Sequence, residues 1–209
     1  MKTLVIIDVQ NDFIPGGALA VPEGDQIVDL INKLQEEFDL VIATQDWHPR
    51  DHSSFAENHP GKNEFKKIEL NGQEQVLWPV HCVQNSGGAS FHPDLNTAKI
   101  ETIFRKGTSK EIDSYSGFYD NAHLKSTGLA GYLKEKGADE LYFCGLAAEY
   151  CVYFSVMDAL KECFSATLIE DATRPLDTES FQQAKENILK AGGKIIKSKE
   201  LISGIKKFL

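Results

Sequence analysis

The feature that most constrains the fold is the alternation of short apolar runs with segments of helical hydrophobic spacing. The apolar runs are rich in Val, Ile, Leu and Phe and lack strict polar alternation, as is typical of strands buried on both faces. We predict strands at Leu4–Asp8, Leu40–Thr44, Thr102–Arg105, Leu141–Cys144, Ala166–Ile169 and Lys194–Ile196. Because helical segments separate these strands, the sequence predicts an α/β fold with a parallel sheet between two helical layers.

The helices follow from apolar residues at helical spacing. We predict them at Asp25–Phe38, Gly128–Lys136, Cys151–Phe164 and Thr178–Ala191. The segment Cys151–Phe164 is apolar nearly all round, so it should be buried. Asp177 is placed to cap the last helix, and Gly192 and Gly193 to end it. No repeat, linker or low-complexity tract interrupts the pattern, and we expect a single domain over residues 1–209.

The net charge and the hydrophobic pattern argue against nucleic acids and membranes as partners, and the cysteines indicate the cellular compartment. The net charge of −9 argues against a nucleic acid, which normally requires a basic face. No segment is apolar and long enough to span a bilayer, no basic amphipathic helix suggests a membrane surface, and the N-terminal apolar run is too short for a signal peptide. The cysteines Cys82, Cys144, Cys151 and Cys163 form no C-x-x-C pair. We therefore expect free thiols in a reducing, cytoplasmic compartment.

Two long stretches do not fit the alternation, from Trp47 to about Lys99 and from Gly107 to His123. Long irregular segments in a compact domain are commonly functional loops. In parallel α/β sheets, ligands bind outside the carboxyl ends of the strands. The chemically capable residues at or just past predicted strand ends are Asp8, Asp46, Lys106 and Cys151. That shared location predicts one active site at this edge of the sheet.

Cys151 lies where an apolar strand passes through a glycine-bearing turn into an apolar helix. A thiol in the first helical turn meets unpaired N–H groups, which favour the nucleophilic thiolate. A buried structural cysteine is the alternative for this residue on its own. Asp8 could accept the thiol proton, and Lys106 could hold that carboxylate charged, although a lysine that simply reaches water is the alternative. Together the three residues indicate a catalytic triad.

A second group of side chains has the composition of a metal site. Asp46 and His48 point the same way by their i, i+2 spacing, and His81 follows a proline that keeps the chain extended. Two His and one Asp suit Zn²⁺, Fe²⁺ or Mn²⁺ with positions left open. The additional candidate ligands are His52, Glu64 and Cys82. Solvated loop histidines are the alternative, which we keep for His59, His92 and His123.

Aromatic residues flank these reactive groups and could stack a flat ring. They are Phe13, Trp78 and Tyr150. Ordinary core packing is the alternative for each, and it is weakest for Trp78, which lies in a polar loop.

Six motifs, in order along the chain, together resemble the nicotinamidases within the isochorismatase-like cysteine hydrolases. They are Asp8–Phe13, Asp46–Pro49 with Ser53–Ala56, Trp78–Cys82, Arg105–Gly107, Asp113–Ser116 and Gly145–Val152. Relatives such as isochorismatase and N-carbamoylsarcosine amidase generally lack the metal motifs. One departure is Glu149, which stands where the family more usually has Asp before Tyr-Cys and which we expect to change little.

The resemblance implies a six-stranded parallel sheet in a three-layer α/β/α fold that often forms homo-oligomers. It implies a triad of Asp8, Lys106 and Cys151. It also implies a metal ion, most often zinc, on Asp46, His48 and His81, with His52, Glu64 or water completing the shell. The backbone N–H groups of Ala147 and Cys151 would form an oxyanion hole beside a cis Leu146–Ala147 peptide, and Phe13, Trp78 and Tyr150 would line the ring pocket.

The activity implied is hydrolysis of nicotinamide to nicotinate and ammonia through a thioester, a step of NAD salvage, with pyrazinamide as a further substrate. We expect the helix and Lys106 to lower the pKa of Cys151 and burial to raise that of Asp8, while Lys106 opposes the second effect. The alternatives are another amidase of this superfamily, a non-haem Fe(II) oxygenase using the two His and the carboxylate, and a non-catalytic sensor.

Overall fold

Six parallel strands form the central sheet of the structure, a computed structural model that describes residues 1–202. In chain order the strands are β1 (Lys2–Ile7), β2 (Leu40–Asp46), β3 (Lys67–Leu70), β4 (Gln73–Val76), β5 (Ile100–Lys106), β6 (Glu140–Gly145), β7 (Ser165–Thr173) and β8 (Lys194–Ile196). The sheet order is β5-β2-β1-β6-β7-β8, and every neighbouring pair is parallel. The predicted fold class and its six strands are confirmed.

On the central strand β1, the residues from Leu4 to Ile7 are all apolar because both faces of the sheet are covered. On β1, Leu4 and Ile6 contribute to one core cluster, while Val5 and Ile7 contribute to the cluster on the opposite face. All four side chains are fully buried. Removing apolar surface from water is the main favourable contribution to folding, so burial of this apolar run on both faces stabilises the sheet.

Helices cover both faces of the sheet. They are α1 (Val28–Leu34), α2 (Leu129–Lys136), α3 (Tyr153–Lys161) and α4 (Thr178–Lys190). Helix α1 packs on one face and the other three pack on the opposite face. The predicted cap is present, since the Asp177 carboxylate accepts the Ser180 N–H at 2.7 Å. Within residues 1–202, no helix combines the length and the apolar character that a membrane crossing needs.

Two sequence-based expectations need correction. The helix predicted at Cys151–Phe164 begins only at Tyr153, because Ala148–Val152 form a π-helical turn. The stretch from Trp47 to Lys99 is not irregular throughout, because β3 and β4 form an antiparallel hairpin within it. Its turn is Asn71-Gly72, with φ of 52° and 77°. Asn-Gly is the strongest short-range hairpin signal, and it could have revealed this element.

Candidate active site

The predicted reactive residues meet at the carboxyl edge of the sheet. Asp8 directly follows β1, Asp46 ends β2, and Lys106 ends the neighbouring β5, where it pairs in register with Asp46. Cys151 lies on the π-helical turn that follows β6. Parallel strands deliver their ends to one edge, which is why residues far apart in sequence come together here.

Lys106 is the centre of the cluster. Its Nζ lies 2.9 Å from Oδ2 of Asp8 and 2.9 Å from Oδ1 of Asp46. The same ammonium donates to the Ser114 carbonyl oxygen at 2.9 Å and lies 3.3 Å from Sγ of Cys151. Burial alone would lower the pKa of Lys106, but the two carboxylates hold it well above its ordinary value. The lysine therefore stays charged and joins the triad to the candidate metal ligands.

Asp8 is fully buried and held from two sides. The Thr44 hydroxyl donates to its Oδ1 at 2.6 Å, and Lys106 pairs with its Oδ2. Burial raises the pKa of Asp8, and the opposing effects of Lys106 and Thr44 do not cancel that rise. The sequence analysis expected burial to raise the pKa of Asp8 and Lys106 to lower it. The effect of burial is the larger, so Asp8 is a stronger base than an ordinary aspartate.

The expectation of a lowered thiol pKa at Cys151 is wrong for this structure. Burial raises the pKa of Cys151 well above its ordinary value, and the nearby Lys106 charge offsets only part of this effect. A hydrogen bond with Asp8 raises the pKa of the thiol further. The sulfur is therefore protonated at neutral pH, and a base must remove its proton as it attacks.

Asp46, His48 and His81 form a buried cluster whose candidate ligand atoms lie within 4.8 Å of one another. Oδ2 of Asp46 lies 2.8 Å from Nε2 of His48 and 3.4 Å from Nε2 of His81. The Nδ1 atoms of these histidines contact the carbonyl oxygens of Gly107 and Pro79, at 2.9 and 2.7 Å. Because Nδ1–H donates to these carbonyls, Nε2 is the ring nitrogen that each histidine directs to the carboxylate, and metal-binding histidines are usually oriented by such a bond from their other ring nitrogen.

His52 lies next to this cluster and forms a second group of potential metal ligands with His48 and Asp113. Its ring centroid lies 4.3 Å from that of His48, and its buried Nε2 has no hydrogen-bond partner among residues 1–202. Burial and the adjacent His48 lower the pKa of His52 to about 4, so the ring is neutral and able to act as a ligand near pH 7. Of the other two candidates, Glu64 is exposed at the surface, and Cys82 belongs to neither group of potential ligands found among residues 1–202. The nitrogen and oxygen donors present suit zinc, iron or manganese.

Several residues that sequence reasoning assigned no role position the ligands. Gln10 clamps the backbone of Asp46, donating to its carbonyl and accepting from its N–H, both at 2.8 Å. A carboxylate oxygen of Asp12 accepts the Cys82 N–H at 2.7 Å, which fixes the segment that carries His81. Each is a side chain bonded to backbone, and no spacing rule in the sequence signals such a contact.

A cleft with about 350 Å³ of empty space opens beside Cys151. The predicted aromatic residues Phe13, Trp78 and Tyr150 all line it, as do Asp46 and His81. Ala147 and the motif residues Asp113, Ser114 and Tyr115 line it too, together with Leu19 and Leu176, which sequence reasoning did not single out. The rings of Trp78 and Tyr150 pack edge to face with centroids 4.9 Å apart. The cleft therefore offers aromatic walls for a flat ring, with a thiol and imidazole at its margins.

The Leu146–Ala147 peptide bond is cis, as the resemblance implies. Ala147 lines the cleft next to Cys151. Among residues 1–202, no acceptor is found for the Ala147 N–H. This donor is therefore free to bind an oxygen atom of a ligand in the cleft.

Comparison with known proteins places the site in a family context. The isochorismatase domain family matches residues 2–200. A nicotinamidase from Acinetobacter baylyi is 46% identical over 200 residues, which cover 95% of this chain and 94% of that protein. A solved nicotinamidase/pyrazinamidase from Acinetobacter baumanii is 48% identical, with a TM-score of 0.94 over 96% of this chain and 98% of that chain.

A further solved structure is a pyrazinamidase from Pyrococcus horikoshii in complex with zinc. It is 38% identical to this chain, with a TM-score of 0.78 over 94% of this chain and 98% of that one. The likeness to these proteins runs through the whole sheet and the loops that carry the cleft, and not only through isolated motifs.

Proposed function

The chain belongs to the isochorismatase domain family, and we propose that it is an amidohydrolase that converts nicotinamide to nicotinate and ammonia, as in NAD salvage. The strongest support for this proposal is the position of Lys106. Its Nζ lies 2.9 Å from a carboxylate oxygen of Asp8 and 2.9 Å from one of Asp46, and it lies 3.3 Å from Sγ of Cys151. This position supports the proposal because a thiol, a carboxylate able to act as its base and a candidate metal-ligand carboxylate surround one ammonium group, at the edge of an aromatic cleft.

Asp8 acts as the general base of the first half-reaction. It takes the thiol proton while the Cys151 sulfur forms a bond to the carboxamide carbon, and the carbonyl electron pair moves onto oxygen. The carbon–nitrogen bond then breaks, and protonated Asp8 returns the proton to the nitrogen, so that ammonia leaves and a thioester remains. The raised pKa of Asp8 suits both proton transfers, because a base works best when its pKa is near the working pH.

Water completes the second half-reaction. Asp8 removes a proton from the water, whose oxygen attacks the thioester carbon. The carbon–sulfur bond breaks, the sulfur regains the proton, and nicotinate is released. The N–H groups of Ala147 and Cys151 would stabilise the negative oxygen in both halves, and one such donor is typically worth about 10²–10³ in rate. Lys106 keeps a positive charge beside the reacting sulfur throughout.

Asp46, His48 and His81 would hold a divalent metal ion, which we propose to be zinc. Because its ring lies beside that of His48, we propose His52, and not the exposed Glu64, as the additional protein ligand. When bound there, the ion supplies a Lewis acid for a pyridine nitrogen. Burial opposes ionisation of Asp46, but His48 and Lys106 hold its pKa well below the ordinary range. The carboxylate is therefore ionised and available as a ligand over the whole physiological range.

Phe13, Trp78 and Tyr150 would stack and enclose the aromatic ring. A pyrazine ring has the same size and also carries a nitrogen lone pair, so we propose that pyrazinamide is hydrolysed as well. A second candidate is an amidase of the same family acting on another small amide. Metal-independent turnover of amides that lack a ring nitrogen would favour that candidate.

The decisive experiment measures ammonia release from nicotinamide by the purified protein and by Cys151→Ala. We expect turnover by the wild type and none above background by the variant. Cys163→Ala is a matched control, because this exposed cysteine lies outside the site and should retain full activity. Wild-type turnover by Cys151→Ala would contradict the mechanism, and an inactive wild type loaded with zinc would contradict the substrate.

The homo-oligomer and the cytoplasmic location stay predictions. All four cysteines are free among residues 1–202, and free thiols are typical of reducing compartments. Sedimentation of the purified protein would determine the number of subunits.

A further inference from the structure

Glu149 is a buried carboxylate that the proposed reaction does not use. It lies two residues before Cys151 on the π-helical turn, with only 6% of its surface exposed. Its Oε1 accepts the Asp177 N–H at 2.7 Å, and its Oε2 accepts the Leu176 N–H at 3.2 Å. No lysine, arginine or histidine among residues 1–202 forms an ion pair with it, so backbone donors alone stabilise its charge.

The two donors belong to a segment that connects β7 to α4. This segment, Arg174–Asp177, also accepts a hydrogen bond from the Ala148 N–H through the Arg174 carbonyl at 2.9 Å. Pro175 has no N–H, and Glu149 binds the N–H groups of the two residues that follow it. Three hydrogen bonds thus join the segment to the turn that carries the nucleophile.

Leu176 is the residue through which this connection reaches the substrate. Its side chain lines the cleft together with Tyr150 and Cys151. The position of this apolar wall depends on the backbone at Leu176, and that backbone is bonded to Glu149. The carboxylate therefore acts on a cleft that it does not itself line.

We propose that Glu149 is a positioning residue that sets substrate affinity by fixing Leu176 as a wall of the ring-binding cleft. The proposal rests on the proposed function, since the ring in question is that of nicotinamide. Glu149 contacts neither the thiol nor Asp8 in this arrangement, so it should govern KM more than kcat. A purely structural role would lower stability and leave the ratio of KM to kcat unchanged.

The first test compares Glu149→Gln with Glu149→Asp. The amide keeps the shape but replaces one acceptor oxygen with a donor that faces a backbone N–H. We expect KM for nicotinamide to rise about tenfold with kcat within about threefold, the size of one lost charge-assisted hydrogen bond. Glu149→Asp keeps both acceptor oxygens and should recover most of the affinity. A wild-type KM in Glu149→Gln would overturn the proposal.

The second test is a cycle with Leu176→Ala, which removes the wall itself. If Glu149 acts through Leu176, adding Glu149→Gln to Leu176→Ala should change KM by less than about twofold, whereas independent effects would multiply. Multiplying effects would overturn the proposal. If Glu149→Gln does not fold, Glu149→Asp takes its place in the cycle, with a smaller increase in KM that Leu176→Ala should likewise abolish.

Nicotinate binding measured by calorimetry repeats the cycle without turnover, with Kd in place of KM. Failure of the proposed function appears separately, as absence of ammonia release by the zinc-loaded wild type. The positioning role can still be tested in that case. The effect of Glu149→Gln on nicotinate affinity either disappears in the Leu176→Ala background, which supports the role, or persists there, which overturns it.

Discussion

The proximity of the site residues was predictable for those that lie at the ends of strands. Asp8, Asp46 and Lys106 follow apolar runs whose ends meet at one edge, so their proximity follows from topology. The protonation state of Cys151 was not predictable in the same way. Its pKa depends on how completely the rest of the chain excludes water from the sulfur, and this burial exceeds the effect of the Lys106 charge. The sequence shows that a lysine is present, but it does not show how deeply the Cys151 sulfur is buried.

Thr44→Val should move the acid side of the pH profile. Asp8 must be ionised to act as a base, so kcat/KM should fall as pH falls through its pKa, which burial raises above the ordinary value. The Thr44 hydrogen bond lowers that pKa, so its loss should shift the acid limb to higher pH. The measurement is kcat/KM across the acid range.

Thr167→Val is the control for this shift, because Thr167 is also buried but lies in the first half of β7, away from the site. Its profile should match the wild type. A Thr44→Val profile that coincides with the wild type, or moves to lower pH, would remove Asp8 as the titrating base.

Gly107→Ala should damage the candidate metal site. A Cβ at this position would lie 2.3 Å from Cε1 of His48, and the backbone φ of +64° already disfavours a side chain. The imidazole must move, and loss of a ligand's orientation typically costs about 10–100-fold in metal affinity or activity. Metal content and ammonia release are the two measurements.

Gly137→Ala tests whether metal loss in Gly107→Ala comes from the clash with His48 or from backbone strain. Gly137 has a similar φ of +67°, but a Cβ at that position would meet no atom within 4 Å among residues 1–202. This variant should lose some stability and retain its metal. Equal metal loss in both variants would mean that backbone strain, and not contact with His48, is the cause.

At the scale of elements, the missed hairpin contributes directly to the cleft. Gln75 on β4 donates to Oδ2 of Asp113 at 3.1 Å and to the Tyr115 hydroxyl at 3.3 Å. The Trp78 indole N–H donates to the same hydroxyl at 3.3 Å. The strands β3 and β4 are only four residues long, and only β3 alternates polar and apolar residues, so hydrophobic periodicity is a weak signal here and the Asn-Gly turn is the stronger one.

Helix α4 illustrates an element that the sequence predicted well. Its apolar stripe packs on the sheet through Phe181, Ala184 and Ile188, while the next residue, Leu189, is 56% exposed. Ile188→Ala should lower the free energy of unfolding by about 2–5 kcal/mol, because it leaves a cavity in the core. Leu189→Ala, the matched control, should change it by less than about 0.5 kcal/mol. Chemical denaturation measures both, and similar losses would mean that α4 is not docked by this face.

The order of the strands in the sheet and the location of the site have the same physical cause. Buried parallel strands require crossover helices on both faces, and those crossovers bring every strand end to one edge. The chain therefore collects residues from Asp8 to Cys151 without any local signal of their proximity. The loops that close the cleft are different, because side-chain bonds to backbone fix them, as Gln10, Asp12 and Glu149 show. Sequence periodicity contains no information about such bonds.

Removal of the metal ion should destabilise the molecule as a whole. Asp46 and His48 lie at the end of β2, whereas His81 lies beyond the hairpin, so a bound ion would tie two distant segments together. An ion that binds only the folded chain stabilises it by RT ln(1 + [L]/Kd), about 2.7 kcal/mol at 100 times Kd. We expect chelation to lower Tm and abolish ammonia release, and added Zn²⁺ to restore the activity and to raise Tm with the logarithm of its concentration.

His81→Ala and His92→Ala make this prediction specific to the cluster. The Tm of His81→Ala should no longer respond to the chelator or to Zn²⁺, because one ligand is missing. His92 belongs to none of the groups of potential metal ligands found among residues 1–202, and His92→Ala should respond as the wild type does. If metal-free wild type, verified by metal analysis, keeps its Tm and its activity, then a metal ion has no part in folding or catalysis. The metal-independent amidase would then be the better account of the Cys151 site.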